Sequence, residues 1–296
     1  MSDTVVCISC HALEEPYAVE TTIRSALSMG YDVIVGYDLR IPDNHRDILN
    51  KYKVTIAVSG EEGIGNNRNM LAHMAVELGY RMFIQSDCHV MFIPWSGKPV
   101  GNNVFLMFPV VEKQLLVADK LVDSAFMYIG TVHGYDDIRK IRFIGKESKY
   151  VYFFGEPVFS IETSILRRIA DIQSGYIYLL PGYGYEVADV MLTAARMGYV
   201  FMKSDAFIYA HRINKGKEER WRERWTREQM LMFHANMYIY SVKHGFRTPV
   251  YYKELEERFK ERIEIAKRVN EELSIPTKKI FELMKNATKR GYIVLF

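Results

Sequence analysis

The chain has 296 residues, 49% of them hydrophobic and 25% charged, with a formal net charge of +3. These values exclude a disordered or fibrous chain, and the length suits one α/β core with an appendage better than two large domains. So small a charge leaves no electrostatic footprint for a nucleic-acid or anionic-membrane partner.

No run approaches the roughly 18 apolar residues of a membrane span. The opening MSDTVVCISC has no basic stretch ahead of an apolar signal segment, so cytoplasm is the expected compartment. Three cysteines, Cys7, Cys10 and Cys88, fit a reducing compartment better than a disulfide framework.

In chain order, Thr4 to Ser9 predicts a strand. Tyr17 to Met29 then sets Val19, Ile23, Ala26 and Leu27 on one helical face, closed by Gly30. Asp32 to Tyr37 predicts a second buried strand ending at Asp38, Val54 to Val58 a third, Asn67 to Leu78 a helix, and Arg81 to Gln85 a fourth strand. Alternation of this kind predicts a parallel, doubly wound α/β sheet. Beyond Pro94 the pattern loosens. Candidate strands stand at Val104 to Val111 and Tyr150 to Phe154, with a charged, irregular connection from His133 to Lys149. Helices follow near Thr163 to Ile172 and Glu186 to Met197, and a strand at Tyr199 to Met202 leads to Ala210-His211-Arg212. From Asn214 the charged segments KGKEERWRERWTREQM and KELEERFKERIEIAKRVNEEL predict a helical appendage, dividing the chain into 1–212 and 213–296. The closing GYIVLF reads equally as a strand or a docking tail; with the appendage it offers a surface for a homo-oligomer.

Chemistry concentrates at strand ends. In Gln85-Ser86-Asp87-Cys88-His89, residues two apart project to one side of an extended chain, so Asp87 and His89 can converge on one cation while Cys88 turns away. Strand ends of open α/β sheets are ligand sites, although an isolated DxH also describes a strand-terminal turn with a surface histidine. Ala206 to Ala210 is a second apolar run, and His211 at its end could supply a third ligand. A mixed histidine and carboxylate set with open positions suits Mn²⁺, with Mg²⁺ as the second choice. Between these segments, Gly182-Tyr183-Gly184-Tyr185 opens a helix whose Glu186 and Asp189 stand one turn apart. There they could orient or deprotonate an acceptor hydroxyl, or simply favour the helix N-terminus. Cys7-Ile8-Ser9-Cys10-His11 has the spacing of haem attachment, but a buried strand explains Cys7. No second CxxC completes a zinc site either.

These segments together resemble a GT-A glycosyltransferase, nearest the polypeptide N-acetylgalactosaminyltransferases and retaining enzymes such as mannosylglycerate synthase. Cys10-His11 through Glu14 to Thr22 and Ser25 resembles the start of the nucleotide-binding half. Glu62-Gly63-Ile64-Gly65-Asn66-Asn67-Arg68 resembles the loop and helix before the metal strand. Asp87-Cys88-His89 resembles the family's DxH, and Pro157 to Glu162 its later core strand. Glu186 to Gly198 and His211-Arg212 resemble its acidic helix and third metal-ligand histidine. The resemblance covers roughly Thr4 to Arg212. It implies a GT-A fold, a mostly parallel sheet flanked by helices. It also implies that a sugar moves from a nucleoside-diphosphate sugar to an acceptor the sequence does not identify. Asp87, His89 and His211 would hold the cation; His11, Asp38, Arg68 and Asp87 would serve the donor, and Glu186 and Asp189 the catalysis. Lys215, Lys217, Arg220, Arg222, Trp221 and Trp225 could close as a lid or form a solvated charged helix. Val187 replaces the Asp that often follows the helix-opening Glu in inverting members, which points toward retention. A sugar-phosphate nucleotidyltransferase is the rival enzyme, but Cys10 to Glu15 lacks the glycine-rich phosphate loop it needs. A non-catalytic carbohydrate-binding protein on the same scaffold remains the other alternative.

Overall fold

The computed structural model describes residues 2–11, 14–94, 108–109, 132–133, 150–152, 158–200, 207–211, 225–247, 253–282 and 293–295. The proposed connection from His133 to Lys149 lies outside them beyond His133 itself, as do most of the Val104 to Val111 strand, Arg212 and the basic segment through Arg222.

The central sheet runs β3-β2-β1-β4-β9. β1 (Thr4–Ser9) lies between β2 (Asp32–Tyr37) and β4 (Met82–Asp87), parallel to both, and β3 (Thr55–Val58) extends the parallel set from β2. β9 (Val158–Glu162) joins β4 antiparallel, which makes the sheet mostly rather than wholly parallel. Every residue of β1 is buried because helices cover both faces, so the strand reads as a continuous apolar run. Alternate residues divide between two cores: Val5 and Cys7 pack with Leu71, Ala72 and Ala75 of α3 (Ile64–Glu77), and Val6 and Ile8 with Val19, Ile23 and Ala26 of α1 (Pro16–Ser28). Pro16 suits the first turn of α1, where a missing N–H costs nothing, and Gly30 ends it at φ +80°.

α2 (Asp43–Tyr52) has no counterpart in the sequence-based expectations. Only His45 and Leu49 are buried on it, too thin a face to register as helical periodicity. α4 (Thr163–Ile172) and α5 (Glu186–Arg196) fall where the periodicity places them.

The C-terminal helices share a core with α5. α6 (Arg227–His244), α7 (Lys253–Arg258) and α8 (Lys260–Glu272) contribute Ile239, Leu255, Ile263 and Val269 to one apolar cluster with Leu179, Leu192 and Ala195. α6 begins with a capping box: Thr226 Oγ1 accepts from Gln229 N, and Gln229 Oε1 accepts from Thr226 N. Four further strands are short, namely β6 (Phe108–Pro109), β7 (Val132–His133), β8 (Tyr150–Tyr152) and β10 (Tyr199–Val200). β12 (Ile293–Leu295), from the closing apolar run, pairs with β8. No helix among the described residues is long and apolar enough to cross a membrane.

Candidate functional site

Because β1, β2 and β4 are parallel, their carboxyl ends share one edge of the sheet. Ser9 is in register with Gly36 on one side and with Asp87 on the other. His11, Asp38, Asp87 and His89 therefore collect along that edge, the usual ligand side of an open α/β sheet. His11 is exposed, and its carbonyl accepts from Glu14 N. Asp38 is half-buried, with Oδ1 accepting from Leu39 N at 2.9 Å.

α1 fixes the strand that follows the Asp87-Cys88-His89 turn. Thr22 Oγ1 accepts from Val90 N and Ser25 Oγ from Phe92 N, each at 3.0 Å, anchoring β5 (Val90–Pro94). β5 pairs antiparallel with β11 (Phe207–His211), and this register sets His211 opposite Val90, one residue from His89. His89 Nδ1 lies 3.2 Å from Glu14 Oε2 and 4.0 Å from Cys88 Sγ. Cys88 thus does not simply turn away: its thiol, His89 and Glu14 present three ligand atoms within 4.8 Å of one another. Burial opposes a charge on His89, but Cys88, Glu14 and Asp87 outweigh it and hold the imidazolium well above the ordinary histidine range. A cation arriving here would displace that proton. The chemistry of the donors, carboxylate and imidazole around a negative turn, fits a divalent ion.

Arg68 joins this edge to the acidic helix. Its Nη2 lies 2.5 Å from Asp87 Oδ1, while Nη1 pairs with Glu186 Oε1. Burial would lower the guanidinium, yet the two carboxylates more than offset it and hold it above its ordinary value. Glu186 is raised, chiefly by burial, against the opposing charge of Arg68.

Two glycine loops bring these residues together. Gly65 N donates to Gly182 O and Asn66 N to Pro181 O, each at 3.1 Å. A Cβ on Gly65 would fall 1.8 Å from Leu180 O, and one on Gly63, at φ +115°, 2.3 Å from Pro181 O. Only glycine permits so close a backbone approach. On the far side, Asn236 of α6 holds the second loop by both ends, its Oδ1 accepting from Gly182 N at 3.0 Å and its Nδ2 donating to Gly184 O at 2.7 Å.

Asp189 takes a different position from Glu186, although the two share the first turn of α5. It is wholly buried, with Oδ2 2.8 Å from Lys243 Nζ and Oδ1 2.9 Å from His244 Nε2. Burial alone would raise its pKa, but Lys243 and His244 prevail and lower it. Asp189 thus ties α5 to the end of α6. Sequence reasoning gave no role beside His89 to Glu14, and none to Asn236. Glu14 carried a signal in its closeness to His11, whereas Asn236 carried none, since its contacts are made across 52 and 54 residues.

No protein-family model matches the sequence, and no curated protein matches it. Solved structures do. GalNAc-T7, determined with UDP, GalNAc and Mn²⁺, superposes at a TM-score of 0.54 and 13% identity, covering 98% of this chain and 57% of that one. TarS of S. aureus gives 0.47 and 13%, covering 87% and 42%. Glucosyl-3-phosphoglycerate synthase from Mycobacterium tuberculosis gives 0.35 and 14%, covering 79% and 78%. The chain spans about half the length of the first two. At these identities the likeness is one of fold, and through GalNAc-T7 the fold is GT-A.

Proposed function

We propose that this chain is a metal-dependent glycosyltransferase carrying a hexosyl or N-acetylhexosaminyl group from a nucleotide-sugar to an acceptor hydroxyl. The observation that carries the reading is the shared arginine: Arg68 grips Asp87 at a parallel strand's carboxyl end and Glu186 at a helix start. It is supported by the GT-A fold held in common with GalNAc-T7, whose structure contains UDP and Mn²⁺.

In this reading Asp87 and His89, with His211 on the adjoining strand, would hold a divalent cation, Mn²⁺ before Mg²⁺. When bound, such a cation would supply Lewis-acid stabilisation for the nucleoside-diphosphate leaving group. His11 and Asp38, along the same sheet edge, serve the nucleoside. Arg68, bonded to both Asp87 and Glu186, holds these carboxylates beside the diphosphate in an arrangement that needs no reorganisation during transfer. Glu186, held by Arg68 at the start of α5, orients the acceptor hydroxyl. Asp189, committed to Lys243 and His244, leaves Glu186 as the carboxylate of that turn facing Arg68, and Val187 follows it. Val187, where inverting members often carry Asp, accords with retention.

The test is thermal stabilisation by uridine, guanosine and other nucleoside diphosphates and their sugars, each with and without Mn²⁺. A metal-dependent shift that Asp87→Ala abolishes is expected. No shift with any nucleotide would sink the proposal.

A further inference from the structure

Tyr185 caps α5 in the left-handed region, at φ +68° and ψ −12°. A bulky side chain rarely sits there, and such backbone strain collects at functional positions. Tyr185 is nonetheless 41% exposed, and Tyr183, two residues earlier, 42%. The two belong to a continuous aromatic strip. Tyr183 meets Trp225 edge-on at 6.0 Å, Trp225 meets Phe233 at 5.3 Å, and Phe233 meets Tyr185 at 6.2 Å.

The strip is held rigidly. Gly184, between the two tyrosines, lies so close to Phe233 that a Cβ would fall 2.9 Å from its ring, and Asn236 pins the same loop. It also adjoins the candidate site: Tyr185 immediately precedes Glu186, and Tyr183 lies within electrostatic reach of Arg68. None of its four side chains carries a charge. Phenol and indole rings offer apolar faces with polar edges. A pyranose is their complement, since its axial C–H groups form an apolar face rimmed by hydroxyls. An acyl chain would leave the polar edges idle, and a phosphorylated or ionic acceptor would find no counter-charge in the strip.

We propose that Tyr183, Tyr185, Trp225 and Phe233 form a stacking platform for a pyranose ring of the acceptor, making the acceptor a carbohydrate. The inference rests on the transferase reading for the word acceptor, but not for the binding itself.

The full chain would be titrated with maltotriose, cellotriose, mannotriose and galactotriose, with and without UDP and Mn²⁺, by calorimetry and by tryptophan emission. At least one trisaccharide should bind saturably and perturb the emission, and Trp225→Phe should remove the perturbation. The double variant Tyr183→Ala/Tyr185→Asn should bind it about tenfold or more weakly while binding UDP with Mn²⁺ as before. Asparagine accepts left-handed backbone, so this variant keeps its fold. Binding of UDP without any trisaccharide, or equal trisaccharide affinity in the double variant, overturns the platform. Trisaccharide binding without nucleotide binding keeps the platform and removes the transferase reading instead.

Discussion

Arg68 and Glu186 stand 118 residues apart in sequence and form a buried ion pair whose arginine also reaches Asp87. Two carboxylates therefore share one cationic partner, with the Arg68 side chain only 5% exposed. Breaking such a pair from one side leaves buried charge uncompensated.

Arg68→Met is accordingly expected to destabilise the fold by roughly 3–5 kcal/mol. Adding Glu186→Gln removes one stranded carboxylate and should recover part of that loss. Urea denaturation of the wild type, both single variants and the double variant gives the coupling directly. Additive effects of the two changes would show that the pair is not coupled.

Glu186→Gln alone separates binding from chemistry. If Glu186 positions the acceptor hydroxyl, transfer should fall about 100-fold or more, the scale of a lost proton-handling group. Nucleotide affinity in the presence of Mn²⁺ should change much less. Steady-state transfer beside calorimetric UDP titration distinguishes the two, and an equal loss in both would put Glu186 on the donor side.

The interior supplies a pH dependence remote from the sheet edge. Burial lowers the His244 pKa to about 4 in the folded chain, from the ordinary 6.5. Between those values an unfolded chain binds a proton that the folded chain refuses, so stability declines as pH falls through this window. The loss amounts to roughly 3 kcal/mol over the whole window. Asp189, whose pKa is lowered, acts in the same direction at still lower pH. His244→Gln retains a donor toward Asp189 and should flatten the decline between pH 6.5 and 4. Urea midpoints for both proteins across pH 4 to 8 isolate this residue, and parallel curves would contradict its assignment.

Gly65→Ala tests the joint between the loops. The new Cβ meets a backbone oxygen at 1.8 Å, so the loops must separate rather than a side chain rotate. A cost of about 1–3 kcal/mol is expected, together with weaker nucleotide binding as Arg68 and Glu186 part. Calorimetry and thermal melting of the same sample report both effects, and unchanged binding would detach the joint from the site.

Much of the sheet was legible because β1 and β2 are covered on both faces and so read as largely apolar runs, as does the first half of β4. The helical periodicity of residues 163–172 was equally plain. What the sequence withheld was partner choice. Glu186 and Asp189 look equivalent one turn apart, and they diverge only because Lys243 and His244, 54 and 55 residues beyond Asp189, claim the second of them. The register that sets His211 opposite Val90, beside the Asp87-Cys88-His89 turn, likewise comes from pairing between β5 and β11, and strand register over such distance leaves no local mark. Cys88 was misplaced for a related reason: alternation holds within a strand, and β4 ends one residue before it.

The double grip of Asn236 on Gly182 and Gly184 has a kinetic meaning. Closing a loop costs more entropy the longer it is, and Asn236 reaches the glycine loop from a helix some fifty residues downstream. Arg262, whose guanidinium donates to Leu179 O and to Asn66 Oδ1, adds a clasp spanning 196 residues on the latter. The β1–β4 pairing closes 78 residues between Thr4 and Met82, far fewer than the Arg262 clasp, so the sheet can assemble before Arg262 arrives. Refolding chains should thus pass through a stage with the parallel strands in place and the Arg68–Glu186 contact still open, regaining ligand binding later than secondary structure.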